Sequence, residues 1–213
     1  MKPHFKSSDF LFHKIKSGPF DNNSYVLICP QTNQSVLIDT PADPHVLIAI
    51  ASTTIVTRIL ITHNHSDHIA GFDSVIDSFN VPVNISNFDS HALDYNFKED
   101  LNDESAILFG NLSLQVLFTP GHTAGSTCFY MDGHLFSGDT LFPGGPGKTQ
   151  SEDHLNQIID SISGKLFSLP KETIFYPGHG DDGELSESIS EFEIYKSKNV
   201  HSQKFGDIEW LKS

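Results

Sequence analysis

The chain has 213 residues, which is enough for one domain with a sizeable hydrophobic core but short for two. It carries 27 acidic side chains against 13 Lys and Arg, so its formal net charge is −14. This excess of negative charge disfavours nucleic acid and anionic membrane surfaces as partners. We therefore expect a single domain over residues 1–213, and no feature of the sequence indicates an oligomeric state.

The sequence indicates neither a membrane span nor a signal segment. The longest apolar run, Val46 to Ala51, is far shorter than the roughly 20 residues of a spanning helix. No apolar signal region follows the charged N-terminus, Met1 to Lys6. Cys29 and Cys128 lie in separate apolar runs without CxxC spacing, which predicts two buried thiols. We expect a cytoplasmic protein.

Short apolar runs alternate along the chain with amphipathic segments. The apolar runs predict strands covered on both faces, at Tyr25 to Cys29, Val36 to Ile38, Ile59 to Ile61, Leu112 to Phe118, Cys128 to Met131 and Ile174 to Tyr176. Three- and four-residue spacing of apolar positions predicts helices, at Ile69 to Phe79, Leu155 to Leu166 and Leu185 to Phe192. The order predicts an α/β fold with a sheet core and outer helices.

Three further segments have their own predictions. Asp94 to Ser105 is acidic and aperiodic, so we expect an exposed excursion or a short helix. The Pro- and Gly-rich stretch Phe142 to Gly147 predicts a loop rather than a domain boundary. Residues 184–213 are expected to pack on the domain, as a helix from Glu184 to about Lys198 and a tail anchored by Trp210 and Leu211.

Histidine stands out in the composition, with 12 residues, and four potential metal ligands fall within the segment His63-Asn64-His65-Ser66-Asp67-His68. The segment follows a predicted strand and leads into a predicted helix. Alternate side chains of an extended segment share one side, so His63 and His65 can converge on one point. Asp67 and His68, on the first helical turn, can reach a second point. The competing interpretation is a set of surface and capping residues.

Three other predicted strands end in a potential ligand beside glycine, namely His122, Asp139 and His179. A single His or Asp after a strand is more often a turn residue or a satisfied polar residue. Four such strand ends in one chain are better explained by a shared site.

These motifs, in this order, resemble the metallo-β-lactamase superfamily, and within it the glyoxalase II or hydroxyacylglutathione hydrolase group. The resemblance is carried by His63-Asn64-His65-Ser66-Asp67-His68, Gly121-His122-Thr123-Ala124-Gly125-Ser126, Gly138-Asp139-Thr140-Leu141-Phe142 and Gly178-His179-Gly180. It extends from about Asn23 to Gly180, which is most of the chain. It implies a four-layer αββα sandwich with two metal ions in a groove at one edge of the two sheets.

The resemblance also implies a ligand set and a cofactor. Transferred position by position, the ligands are His63, His65 and His122 for the first metal, Asp67, His68 and His179 for the second, and Asp139 as the bridge between them. Mixed nitrogen and oxygen ligation suits two Zn²⁺ per chain, with Fe or Mn as possible occupants. Asp67 and Asp139 are the expected catalytic carboxylates, and Asp67 would orient the attacking hydroxide.

The sequence departs from the glutathione-binding pattern of that group. Lys148 matches a basic substrate contact, but Gln150 and Asp181 stand where the group has two tyrosines. The group's C-terminal helical domain is also expected to be absent. With Asp181 and Asp182 adding negative charge, we expect slow hydrolysis of S-lactoylglutathione and a different small-molecule substrate.

The resulting functional hypothesis is a dinuclear zinc hydrolase in which a metal-bridged hydroxide attacks a thioester or small acyl ester. The alternatives are an iron-dependent persulfide dioxygenase, a lactonase or β-lactamase on the same metal centre, and a ligand-binding protein without catalysis. The dioxygenase branch usually has a Gly-Cys-Gly-Arg loop, where this chain has Gly145-Pro146-Gly147-Lys148. Pocket walls alone would separate the hydrolases from one another.

Overall fold

The computed structural model describes residues 1–198 and 204–212. In these ranges, the first half of the chain forms a seven-stranded sheet in which spatial order equals chain order. Its strands are β1 (Phe5–Lys6), β2 (Leu11–Ser17), β3 (Asn22–Ile28), β4 (Gln34–Ile38), β5 (Ile55–Leu60), β6 (Val83–Ile85) and β7 (Lys98–Asp100). Pairing is antiparallel from β1 to β4 and parallel from β4 to β7.

The second half forms a six-stranded sheet and a small hairpin, again counted over the described residues. The strands are β8 (Ala106–Phe109), β9 (Leu112–Phe118), β10 (Thr127–Met131), β11 (His134–Gly138), β12 (Leu141–Phe142), β13 (Gly145–Pro146), β14 (Ile174–Pro177) and β15 (Gly183–Glu184). The sheet has the order β15-β14-β11-β10-β9-β8, and β12 pairs with β13. The helices are α1 (His45–Ala51), α2 (Ser66–Ile69), α3 (Phe72–Phe79), α4 (Glu152–Gly164) and α5 (Leu185–Ser197).

Three apolar layers hold the elements together. Between the sheets, side chains such as Phe12 and Leu27 of the first sheet meet Val116 and Phe136 of the second. A second cluster packs α1 and α3 on the outer face of the first sheet, and a third packs α4 and α5 on the outer face of the second. Burial of these three layers produces the predicted αββα sandwich, so the fold prediction is confirmed.

Two predicted segments differ in the structure. The helix predicted from Ile69 to Phe79 is two helices, and the Gly71 amide between them donates to the Thr40 carbonyl at 2.8 Å instead of to a helical carbonyl. The segment Asp94 to Ser105 was expected to be an exposed excursion or a short helix. It instead contains the edge strand β7, which pairs with β6. Tertiary pairing supplies backbone hydrogen bonds that a local pattern does not reveal.

Within the C-terminal part, residues 199–203 and 213 lie outside the described residues, and the rest contains the expected helix. Helix α5 occupies Leu185–Ser197, within one residue of the expected bounds at each end. Trp210 is fully buried against Phe167 and Phe192, as expected, whereas Leu211 is 53% exposed. Trp210 is therefore the anchor of the tail. In the described ranges, every helix is too short or too polar to cross a lipid bilayer.

Both cysteines are free and buried, as predicted. Burial raises the pKa of the Cys128 thiol to about 11, and its Sγ lies 3.3 Å from the carbonyl oxygen of Ser137. Because the thiolate is the reactive species, we expect Cys128 of a Cys29→Ala variant to react with a disulfide reagent at least about 100-fold more slowly in the native protein than in denaturant. Fast stoichiometric labelling of the native variant would contradict this prediction.

Candidate metal centre

The seven predicted site residues lie in one cleft, beyond the carboxyl ends of four strands. The loop after β5 supplies His63 and His65, and α2 supplies Asp67 and His68. The loops after β9, β11 and β14 supply His122, Asp139 and His179. Residues distant in sequence meet here because both sheets present these strand ends at the same edge of the sandwich.

The first group consists of three imidazoles. The Nδ1 atom of His65 lies 3.1 Å from Nε2 of His63 and 2.9 Å from Nε2 of His122. A tetrahedral ion with bonds of 2.0 to 2.1 Å holds its ligand atoms about 3.3 Å apart. The three nitrogens therefore have the spacing of a shared metal ion, and His63 and His122 are buried.

The second group combines a carboxylate with two imidazoles. The Nε2 atom of His179 lies 3.1 Å from Oδ2 of Asp67 and 3.2 Å from Nε2 of His68. Asp67 Oδ2 and His68 Nε2 are 3.6 Å apart. His68 is fully buried, and the other two are partly exposed. This group also has three donors that converge on one point.

Asp139 lies between the two groups. Its Oδ2 atom is 3.6 Å from Nε2 of His122 and 3.5 Å from Nε2 of His179, and its Oδ1 is 3.4 Å from Nε2 of His68. Oδ1 is buried without a hydrogen-bond partner. Burying an ionised oxygen in this way is costly, so the geometry fits a cation that binds this carboxylate.

Hydrogen bonds fix the tautomers of the imidazoles. Each of three rings uses Nδ1 to donate to an oxygen that can only accept: His68 to Asp39 at 2.8 Å, His122 to the Lys148 carbonyl at 2.7 Å, and His179 to the Phe20 carbonyl at 2.9 Å. In the neutral rings, Nε2 then keeps its lone pair and faces the cleft. Such orienting partners are typical of metal-ligating histidines.

Asp39 organises the buried side of the second group, and sequence reasoning missed it. It is 1% exposed and accepts hydrogen bonds from His68 Nδ1, from the Thr62 hydroxyl and from the Thr62 amide, each at 2.8 Å. Since the Thr62 hydroxyl donates to Asp39, it accepts from His63 Nδ1 at 3.0 Å. One carboxylate thus orients a ring in each group. The available signal was an Asp at the end of a predicted strand.

Two other polar residues near the site were also missed. Asn22 donates from Nδ2 to Asp67 Oδ2 at 2.9 Å, which fixes that carboxylate. Asp89 accepts from the amides of Asn64 and Gly125 at 3.1 Å each, and so joins the loops that bear His63 and His122. Neither residue lies in a local ligand motif, so only the tertiary structure reveals these contacts.

Electrostatics in the cluster favour positive charge between the carboxylates. Burial lowers the pKa of His68, but the charges of Asp39 and Asp139 outweigh it and raise the pKa well above the usual value. Burial and neighbouring imidazoles hold the pKa of His63 well below its usual value. Burial raises the pKa of Asp139, but the surrounding histidines outweigh it and keep this carboxyl ionised. The cleft therefore combines the neutral imidazole of His63 with two positions, beside His68 and Asp139, that favour a cation.

A pocket of about 360 Å³ opens in front of His122, Asp139 and His179. One wall is the glycine-rich loop from Phe142 to Lys148. The adjoining part of the wall comes from the C-terminal tail, through Asp207, Ile208 and Glu209. The Lys148 side chain is 67% exposed at the pocket, and its backbone carbonyl orients His122. The predicted contact of Lys148 with a substrate stays a prediction, and the side chain lies at the pocket where such a contact would form.

Asp181 and Asp182 are not in this pocket, contrary to the expectation that they add negative charge near the substrate. Gly180 has a φ of 71° and turns the chain away from the cleft after His179. Asp182 pairs with Lys14 at 2.6 Å, and Asp181 lies 3.8 Å from Lys16. Among the described residues, the carboxylates that line the pocket besides Asp139 are Asp207 and Glu209 of the tail.

Comparison with known proteins identifies the family. The model of the metallo-beta-lactamase superfamily matches residues 17–179. A probable hydroxyacylglutathione hydrolase of Schizosaccharomyces pombe is 31% identical over 208 residues, which cover 91% of this chain and 75% of that protein. The chain covers 62% and 66% of two further relatives, which are hydroxyacylglutathione hydrolases of bacteria.

Solved structures support the same assignment. A B3 metallo-beta-lactamase, BLEG-1, is 30% identical with a TM-score of 0.77, over 84% of this chain and 96% of that one. TTHA1623 in a di-iron-bound form is 28% identical with a TM-score of 0.68, over 83% and 96%. ETHE1 from Myxococcus xanthus is 27% identical with a TM-score of 0.71, over 83% and 80%.

The αββα sandwich and its His/Asp cluster place this protein in the class of metal-dependent hydrolases. The chain belongs to the metallo-β-lactamase superfamily, and it is similar to the hydroxyacylglutathione hydrolases within it. Membership in this superfamily implies binding of divalent metal, and the two side-chain groups fit that requirement.

Proposed function

We propose that this protein is a dinuclear metallohydrolase that cleaves a thioester or small acyl ester, with residues 1–213 acting as one domain. The observation that carries the proposal is the position of Asp139, whose two oxygens lie within 3.4 to 3.6 Å of imidazoles from both groups. A carboxylate shared in this way is the arrangement expected of a two-metal site.

In this proposal, one Zn²⁺ would be held by His63, His65 and His122, and the other by Asp67, His68 and His179. Asp139 would be the ligand that both groups share. The bound ions supply Lewis acidity to the substrate carbonyl and lower the pKa of water toward neutrality. Asp67, fixed by Asn22, orients the attacking water. The imidazoles oriented by Asp39, Lys148 and Phe20 keep their donor atoms in place before substrate binds.

The names of the relatives support the substrate class. Hydroxyacylglutathione is a thioester, and the S. pombe relative that shares this name is aligned with 91% of the chain. The open pocket beside Asp139 has room for a small acyl group and part of its leaving thiol. The second candidate is an iron-dependent persulfide dioxygenase, favoured by the similarity to ETHE1. A lactonase or β-lactamase would differ in pocket walls rather than in the metal ligands.

Metal content and substrate range test the proposal together. We expect about two zinc ions per chain and hydrolysis of short acyl thioesters by the zinc-loaded protein. The panel should include lactones, β-lactams and a persulfide with oxygen. One iron per chain with oxygen consumption would replace the hydrolase with the dioxygenase. S-lactoylglutathione is expected to be a poor substrate, and a kcat/KM of about 10⁵ M⁻¹s⁻¹ or more would contradict this part.

Removing the metal is expected to lower the thermal stability. The ligands join strand ends from β5 to β14, and an ion bound only by the native state stabilises that state by mass action. Chelation should lower the Tm by several degrees, and added zinc should restore it. Differential scanning calorimetry with metal analysis of each sample is the measurement. An unchanged Tm in verified metal-free protein would argue against a site that links these strands.

A further inference from the structure

The pocket wall formed by the C-terminal tail is firmly attached to the glycine-rich loop. The Thr149 amide donates to the Gly206 carbonyl at 3.1 Å, and the Trp210 amide donates to the Gly144 carbonyl at 2.8 Å. A Cβ on Gly145 would come within 2.2 Å of the Ile208 carbonyl oxygen, so the two backbones are in close contact. With Trp210 buried, the segment that bears Asp207 is a fixed part of the pocket.

The charges on this wall determine what a substrate meets. Among the described residues that line the pocket, Lys148 carries the one ammonium group. Its Nζ lies 3.7 Å from Oδ2 of Asp207. Glu209, also on the wall, forms an ion pair with Lys212, which is not a lining residue. The lysine that would attract a substrate carboxylate is therefore already paired with a carboxylate of the protein.

We propose that Asp207 is a specificity-determining residue that withdraws Lys148 from substrate carboxylates. The pocket would then favour acyl thioesters whose thiol part is neutral or cationic, and disfavour those whose thiol part is anionic. This inference rests on the proposed thioester hydrolysis. Asp207 supplies the negative charge near the substrate that the sequence attributes to Asp181 and Asp182. Those two side chains pair with Lys14 and Lys16 instead.

Exposure limits the size of the effect. The Lys148 and Asp207 side chains are 67% and 78% exposed, so water and salt screen the pair. Removing the Asp207 charge should raise kcat/KM for an anionic thioester by about threefold at low ionic strength. The gain should shrink at high salt and should require Lys148.

Three acetyl thioesters with leaving thiols of different charge provide the test: S-acetyl-3-mercaptopropionate, S-acetyl-N-acetylcysteamine and acetylthiocholine. The wild type, Asp207→Asn, Lys148→Gln and the double variant are compared by the loss of thioester absorbance at two salt concentrations. Asp160→Asn is the matched control, because it removes the same charge from an exposed position on α4 outside the pocket. Circular dichroism and metal content confirm that each variant is folded and loaded.

We expect Asp207→Asn to improve only the anionic substrate, and the double variant to lose the gain. Equal changes for all three substrates, a gain that persists without Lys148, or the same gain in Asp160→Asn would overturn the inference while leaving the hydrolase proposal intact. Absence of hydrolysis of all three thioesters by the zinc-loaded wild type would overturn the proposed thioesterase function and the inference together.

Discussion

Asp139→Asn is expected to weaken binding of both metal ions, whereas His179→Ala is expected to weaken mainly the one held by the second group. Asp139 approaches imidazoles of both groups, while His179 approaches Asp67 and His68 of its own group and the shared Asp139. An amide nitrogen has no lone pair available for a metal, so the isosteric change removes one of the two ligand oxygens. Oδ1 of Asp139 is buried without a hydrogen-bond partner, so the Asp139 carboxylate is the charge that the cation would neutralise.

Loss of the bridge should lower kcat/KM on the order of 10³-fold, which corresponds to about 4 kcal/mol of lost transition-state stabilisation. Zinc titration with a chromophoric chelator as competitor counts the ions and their affinities in each variant. Asp160→Asn serves as the charge-matched control and should bind two ions as the wild type does. Two ions bound with unchanged affinity in Asp139→Asn would rule out a bridging carboxylate.

The arrangement of the site was predictable where chemistry is concentrated locally. His63, His65, Asp67 and His68 lie in one short segment, and strand periodicity placed the other three residues at strand ends. Parallel pairing and the facing of the two sheets then bring these ends to one edge. The layers of the fold followed in the same way, since each apolar run or amphipathic helix has one obvious face to bury.

Other features depend on contacts between distant segments, and no local pattern encodes them. β7 is a strand because β6 offers a free edge, although its own sequence is polar. Asp181 stands where the resembled group has a substrate-binding tyrosine, which predicts a place near the substrate, but the chain turns at Gly180 and Asp181 lies outside the pocket. Asp207 lines the pocket because Trp210 is buried between Phe167 and Phe192. A motif search has no access to such placements.

Substitution of Asp39 is expected to weaken binding of the second metal ion strongly, although Asp39 is not proposed to contact either ion. Its carboxylate accepts from His68 Nδ1 and from both donors of Thr62, each at 2.8 Å. In Asp39→Asn, one of the two side-chain oxygens becomes an NH₂ donor of nearly the same size. If that group faces His68, the ring must accept at Nδ1, and its proton moves to Nε2. The nitrogen that faces the cleft then has no lone pair for a metal.

We therefore expect Asp39→Asn to lower the affinity for the second ion by about 10- to 100-fold, the usual cost of losing an orienting partner. The fold should survive, because the substitution conserves volume in the core. Asp89→Asn is the matched control: Asp89 is also 1% exposed and accepts backbone amides, but it does not contact His68. That control should keep the second ion. Zinc titration of both variants, with ring nitrogen NMR shifts of His68 to report the tautomer, provides the measurement. Wild-type affinity together with an unchanged His68 tautomer in Asp39→Asn would show that the ring does not depend on Asp39 for its orientation.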